Sequence, residues 1–337
     1  MQVFAINIDK GMNDMRITRW TFIYSLWLCL SVTLSSVALA ATSDSIAFLN
    51  RVDAAKVLTQ EDDFVRGISQ FDMASRMKRE DSPTKSEYLA FVAEQTLDWT
   101  PQERAAVTQA FNQLQPKLSA LKVGLPTPIE FIKTTGLEEG GAAYTRGQAI
   151  ILQQKQLASE PRLPSLIAHE LLHVFSRFNP EVKQQLYQAI GYYPVGEISF
   201  PTSFAKQKIT NPDAPINDFA IKVSHDDKWV WVVPILYSAD KQYSLEKGGE
   251  FFDYLEFKFV IVGHDEQANI LSYDPDNAQI VKVSEFKGFF KQIGRNTNYI
   301  IHPEEIIAEN FSLLMTGETE LKSPKLLHKI EKVFLAQ

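Results

Sequence analysis

The segment 165–178 constrains the fold more than any other, because it must be a helix with two chemically different faces. Ile167, Leu171, Val174, Phe175 and Phe178 recur at helical spacing and form a stripe that has to be buried against a core. His169 and His173 lie one turn apart on the other side, so both imidazoles can reach one metal ion. Glu170 stands beside them, where it can take a proton from a metal-bound water without itself ligating. A pattern with three fixed positions is a modest signal alone, and the apolar back supplies a context that an accidental pair of surface histidines would lack.

Tetrahedral catalytic zinc needs a third protein ligand and keeps its fourth position for water. A third histidine six residues after the second is excluded, since position 179 is Asn179 and position 176 is Ser176 rather than glycine. The best source is the segment 299–311. There Pro303 starts a helix on which Glu305 and Glu309 share a face, while Ile307, Phe311 and Leu314 form a core stripe. Glu305 could ligate the zinc, and Glu309 could accept the free ring N–H of a ligating histidine. Glu304 is a rival ligand, and Ala308 would let this helix approach the first one closely. Tyr299 and His302 just before the helix could each donate a hydrogen bond to a developing oxyanion. His302 reads equally well as a helix N-cap or a buried, hydrogen-bonded histidine.

Taken together, His169-Glu170-x-x-His173 and Glu305-x-x-x-Glu309 resemble the glutamate-ligand zincins, the thermolysin-like superfamily of metallopeptidases. The resemblance covers roughly residues 129–317. It implies an α+β zincin-like core, a Zn2+ cofactor held by His169, His173 and Glu305, Glu170 as general base and a polypeptide substrate. It also implies a sheet edge upstream of the metal helix that binds extended substrate, for which Gln148, Ala149 and Ile150 in the run 148–152 are the candidates. Two departures stand out. The stretch between His173 and Glu305 is far longer than the family's usual spacing, which implies a large strand-rich insertion, and Glu309 stands where Asp is commoner.

The rest of the chain fits around this pair of helices. Residues 41–121 read as a helical region, in which Thr100-Pro101-Gln102-Glu103 combines an N-cap, a proline at the first helical position and an acid three residues on. That region is either an inhibitory pro-segment or a permanent part of the domain that follows at 122–337. Strands are expected at 129–132 and in a hairpin turning at Arg146-Gly147. A strand-rich insertion occupies about 196–283, with runs at 219–223, 229–236, 255–262 and 279–283. Its aromatic residues, among them Trp229, Trp231, Tyr237, Phe251, Phe252 and Tyr254, are either sheet core or a substrate wall. His225 and His264, each beside aspartates, suit turns or surface, and Arg177 suits the C-terminal end of a helix dipole.

The first forty residues read as an address. Arg16 and Arg19 precede an uncharged, largely apolar stretch that ends in Ala38-Leu39-Ala40, the pattern of a signal peptide at 1–40. An uncleaved anchor is the alternative. Cleavage would remove Cys29, the only cysteine, so neither disulfides nor thiolates would serve a mature chain that is periplasmic or secreted and has no stable membrane span. A formal net charge of −7, with no dense run of Lys or Arg, argues against nucleic acid as a partner. Two competitors to the peptidase reading remain: a non-catalytic, zinc-stabilised envelope binding protein, and a zinc amidase acting on a non-peptide, cell-wall amide.

Overall fold

The computed structural model describes residues 45–265 and 270–337, so the expected signal peptide and Cys29 lie outside the described residues. In chain order the elements begin with β1 (Ile46–Phe48), α1 (Arg51–Leu58), α2 (Asp63–Gly67), α3 (Gln70–Met77), α4 (Lys85–Glu94), β2 (Thr96–Leu97) and α5 (Pro101–Ala120). Next come β3 (Ile129–Thr134), β4 (Tyr144–Arg146), β5 (Ala149–Gln153), α6 (Gln154–Leu157), α7 (Leu163–Phe178) and α8 (Pro180–Ala189). A strand-rich portion holds β6 (Tyr192–Pro194), β7 (Phe219–His225), β8 (Lys228–Ser238), β9 (Leu255–Asp265), β10 (Ile270–Ser272) and β11 (Ile280–Val281). The short α9 (Phe289–Ile293) leads to α10 (Pro303–Thr316) and α11 (Pro324–Leu335). The architecture is α+β, as the sequence implied.

The first sheet has the order β1, β3, β5, β4, with β2 also pairing with β3. β1 and β5 run parallel to β3, whereas β2 against β3 and β4 against β5 are antiparallel. Both faces are covered, which is why Ala149-Ile150-Ile151-Leu152 is an unbroken apolar run with no exposure at any position. Ile150, Leu152 and Phe131 face the large core that contains α5, α7, α10 and α11. Ile132, Ile151 and Tyr144 face a second core built by α1 to α4.

This arrangement packs the residues before 121 onto the same sheet as the chain that follows. The N-terminal region is not purely helical, because it supplies β1 and β2 to the sheet and one of the two layers that cover it. The capping signal at 100–103 is realised: Thr100 and Glu103 form the reciprocal hydrogen bonds of a capping box at the start of α5. Thr84 caps α4 in the same way.

The second sheet is antiparallel, ordered β10, β9, β8, β7, β6 with β11 also against β9. One of its faces, carrying Ile221, Val223, Val232 and Phe259, joins the same core as the metal-motif helices. The insertion is therefore packed onto the first layer and does not stand apart as a separate lobe. The aspartates after His225 make its tightest turn, since Asp226 and Asp227 adopt positive φ of 48° and 58° between β7 and β8. His225 keeps the turn role expected of it, while the side chain of His264 lies outside the described residues. Among the described residues no helix is long and apolar enough to cross a membrane.

Arg76 on α3 joins the layers. It is 1% exposed, and its guanidinium reaches Asp72 Oδ1 at 2.6 Å, Glu139 Oε1 at 2.7 Å and Glu139 Oε2 at 3.0 Å. It also lies 4.2 Å above the Phe251 ring of the insertion. Burial disfavours the charged guanidinium, but the two carboxylates outweigh it and keep Arg76 protonated. Arg76→Ala would strand two buried acids, a change expected to cost about 3–5 kcal/mol. Urea denaturation at neutral pH measures this, and a loss below about 1 kcal/mol would remove the network from its structural role.

Candidate metal centre

α7 and α10 pack directly against each other, with Ala168 and Ala308 both fully buried, so the close approach expected from Ala308 is present. The contact sets two imidazoles against three carboxylates. His169 Nε2 is 3.2 Å from Glu305 Oε2, and His173 Nε2 is 3.6 Å from the same oxygen. Ligand atoms of these three residues all lie within 4.8 Å of one another. Zinc bonds of roughly 2.1 Å in a tetrahedron place neighbouring donors about 3.4 Å apart, so the observed spacings suit the ion. His173 Nε2 is buried with no hydrogen-bond partner, as expected for an atom whose partner would be a cation.

The far side of each ring is held by its own acid. His169 Nδ1 lies 3.2 Å from Glu309 Oε1, in ion-pair contact rather than in well-aligned hydrogen-bond geometry. His173 Nδ1 lies 3.1 Å from Glu304 Oε1. Ser176 Oγ donates to that oxygen of Glu304, and the Tyr187 hydroxyl donates to the other. Glu304, the rival ligand, is thereby fully engaged in holding His173, and Glu305 is the carboxylate directed at both Nε2 atoms. Geometry decides this: adjacent residues on a helix diverge by about 100°, so only one of the two can point between the rings.

The electrostatics of the cluster favour a positive charge at its centre. Burial opposes protonation of His169, but Glu305 and Glu309 outweigh it and hold the ring's pKa well above its ordinary value. Burial opposes protonation of His173 as well, yet Asp213 and Glu305 push it up to about 9. Burial alone would raise Glu304, but hydrogen bonding from His173 brings it down to about 2. Glu305 is likewise below the usual range, because the His173 charge and the His169 contact overcome its burial.

Two residues that the sequence did not flag complete the site, both from a loop of the insertion. Asn211 Nδ2 donates to Glu305 Oε1 at 2.5 Å, which leaves Oε2 for the histidine pair. Asp213 accepts from the backbone N–H of Thr145 at 2.8 Å and from its hydroxyl at 2.6 Å. The Asp213 carboxylate also comes within 4.8 Å of ligand atoms of Glu170 and His173. Burial first, and then the Asp213 charge, raises the pKa of Glu170 well above the carboxylate range. No signal in Asn211-Pro212-Asp213 beyond a turn-like composition could have revealed this.

A cleft of about 330 Å³ opens beside the cluster, lined by Glu170, His169, Glu305, Asp213 and Tyr299, with Leu163, Leu166 and Phe252 as apolar walls. Tyr299 therefore faces the cleft as expected, its ring 6.4 Å from that of His169. His302 does not line it. Its Nδ1 accepts the Glu304 backbone N–H at 3.1 Å, and burial lowers its pKa to about 4, so it is the neutral N-cap of α10 and not an oxyanion donor.

The strand chosen for substrate binding needs a correction too. Ala149 and Ile150 lie on β5, which is paired on both sides, by β3 and by β4, so their backbone groups are already spent. Gln148 sits in the hairpin turn with Gly147, whose φ is +57°, so the turn falls one residue later than expected. The free edge is β4, whose continuation through Ala142 and Ala143 lines the cleft, while the Thr145 N–H is taken by Asp213. Arg177 ties the end of α7 to this hairpin, donating to Gly147 O at 2.7 Å and to Thr145 Oγ1 at 2.9 Å. Of the aromatic run, Phe252 is a cleft wall, Trp231, Tyr237, Phe251 and Tyr254 are core, and Trp229 is exposed at a different groove.

Compared with protein-family models, curated proteins and solved structures, the chain matches none. The geometry distinguishes the two neighbouring glutamates. Glu305→Ala should abolish stoichiometric zinc, whereas Glu304→Gln should retain it with affinity lowered by about 10–100-fold, the usual cost of losing an outer partner of a ligating histidine. Metal analysis and competitive zinc titration of both variants read this out, and the reverse ranking would exchange the two roles.

Proposed function

We propose that this chain is an exported zinc-dependent metallopeptidase of the glutamate-ligand zincin type. The observation that carries this reading is the meeting of His169 Nε2, His173 Nε2 and Glu305 Oε2 at zinc-ligand spacing, with each histidine's Nδ1 in contact with an acid of its own. Zinc held there supplies a Lewis acid that polarises a carbonyl and lowers the pKa of water.

The chain's own residues do the rest. Glu170 Oε2 is buried, has no hydrogen-bond partner and belongs to the cleft wall, so it is free to accept the proton of an attacking water and return it to the leaving nitrogen. The Tyr299 side chain, on the same cleft, donates to the oxygen that gains charge. Asn211 and Glu304 fix the orientation of Glu305 and His173, so that little reorganisation is needed during the reaction. The apolar walls Leu163, Leu166 and Phe252 take up a side chain of the substrate and keep bulk water out.

A second reading has a specific observation in its favour. Because Asp213 occupies the Thr145 N–H, part of the β4 edge is closed to an extended peptide, which favours a compact, non-peptide amide such as a cell-wall component. Digestion of a peptide library and of cell-wall fragments, followed by product analysis, separates the two. In either case Glu170→Gln should keep its zinc and lose about 10²–10⁴-fold in kcat, and a strong chelator should abolish turnover of the parent. A zinc-loaded Glu170→Gln variant as active as the parent would remove Glu170 as the base. An inactive, zinc-loaded parent on every amide tried would leave the binding-protein alternative.

A further inference from the structure

The cleft beside the metal centre runs along one face of α7. Arg162, Leu163, Leu166, His169 and Glu170 all line it, at the spacing of residues that share a helix face. From Arg162 to Glu170 is about 12 Å of helix rise. The two ends of this path differ in charge. Lys155 and Arg162 belong to the segment that leads into α7, whereas the carboxylates of Glu170, Asp213 and Glu305 gather at the metal end.

Asp213 closes the metal end sterically. β4 is the free edge of the first sheet, and the outward N–H of Thr145 is bound to Asp213 Oδ1 at 2.8 Å, with the Thr145 hydroxyl bound to the same oxygen at 2.6 Å. A substrate laid along Ala142 and Ala143 cannot continue its pairing past that residue. The closure is anchored from both sides. Arg177 of α7 donates to the Thr145 hydroxyl at 2.9 Å, and Thr210, three residues before Asp213, is tied through its N–H and hydroxyl to the buried Asp72. A chain that enters from the open side therefore ends here.

The charge at this end decides which terminus fits. Both hydrogen bonds from Thr145 go to Oδ1, and the other oxygen of Asp213 takes none among the described residues. Glu170 is 3% exposed, and its Oε2 is buried without a partner. Ligand oxygens of Glu170 and Asp213 come within 4.8 Å of each other. Arg177 contributes positive field at Asp213, but its hydrogen bonds go to Thr145 and Gly147. Neighbouring buried carboxylates repel each other, and a positive group brought in by a ligand is favoured beside them, whereas a terminal carboxylate would meet three acids.

We infer that the cleft is that of an aminopeptidase, a substrate class that rests on the metallopeptidase reading above. The Asp213 carboxylate receives the free α-ammonium of a peptide whose first amide lies at the metal, and the rest of the substrate extends along α7 toward Lys155 and Arg162. Hydrolysis adds water across that amide and releases the first residue with its amine intact.

L-Leucine p-nitroanilide and its N-acetyl form test this on the zinc-loaded full chain, because they differ only at the amine. The free amine should be cleaved with kcat/KM about 10–100-fold higher, the order of one charge-assisted hydrogen bond. Asp213→Asn should lose that preference with its zinc content unchanged, since Asn still offers Thr145 an acceptor. A second measurement needs no turnover. In calorimetric titration L-leucinol should bind about tenfold or more tightly than 4-methylpentan-1-ol, the same skeleton without the amine, and Asp213→Asn should erase the difference. The inference is overturned if the acetylated anilide is cleaved as well as the free one, if the two alcohols bind alike, or if Asp213→Asn keeps either preference. Discrimination between the alcohols with neither anilide cleaved would uphold the amine site and remove the peptidase reading.

Discussion

Everything at the metal centre depends on the burial of acids against imidazoles where α7 meets α10. Glu304 and Glu305 are 0% and 2% exposed, and an ionised carboxylate placed there without compensation would be prohibitively costly. Compensation is complete for Glu304, which takes hydrogen bonds from Ser176 and Tyr187 besides its contact with His173. For Glu305 it comes from Asn211 and from the two imidazoles of His169 and His173. The pair of helices thus brings two imidazoles and a carboxylate to a spacing that could hold a cation, and buried alanines on both helices accompany that close contact.

The remaining layers hold that contact in place. Arg76 links α3 to Glu139, just before the backbone at 141–143 that forms a wall of the cleft, so the N-terminal layer positions the cleft as much as it covers the sheet. The insertion reaches back through Asn211 and Asp213, one residue touching Glu305 and the other the sheet edge. A segment that reads in the sequence as an addition to the fold therefore helps to build the His–Glu cluster. The other face of the insertion's sheet packs into a core of its own through Trp231, Val233, Ile235 and Val260, so both faces of that sheet are covered.

Much of the site was legible because helical periodicity is local. His169, Glu170 and His173 share one helix, and Glu305 and Glu309 share another, so spacing alone put each set on a common face. Helix spacing offers Glu309 to one of the two histidines without saying which, and the structure places it 3.2 Å from His169 Nδ1. The choice between Glu304 and Glu305 could not be made that way, because it depends on where Ser176 and Tyr187 stand relative to α10. His302 shows the same limit: its ring serves its own helix start, a role that competes with catalysis and is settled only by the direction of Nδ1.

The sequence by itself determined the two amphipathic helices, the strand-rich insertion and the residue types able to hold zinc, since all of these follow from chain-local periodicity and composition. Tertiary structure alone decided which strand is the sheet edge. The apolar run at 149–152 marks β5 as buried without saying whether it is central or at an edge, and only its pairing with both β3 and β4 makes it central. It also decided that the N-terminal region is part of the core and that Asn211 and Asp213 belong to the site. These are contacts between residues far apart in the chain, and no local pattern encodes which distant surface a polar side chain will meet.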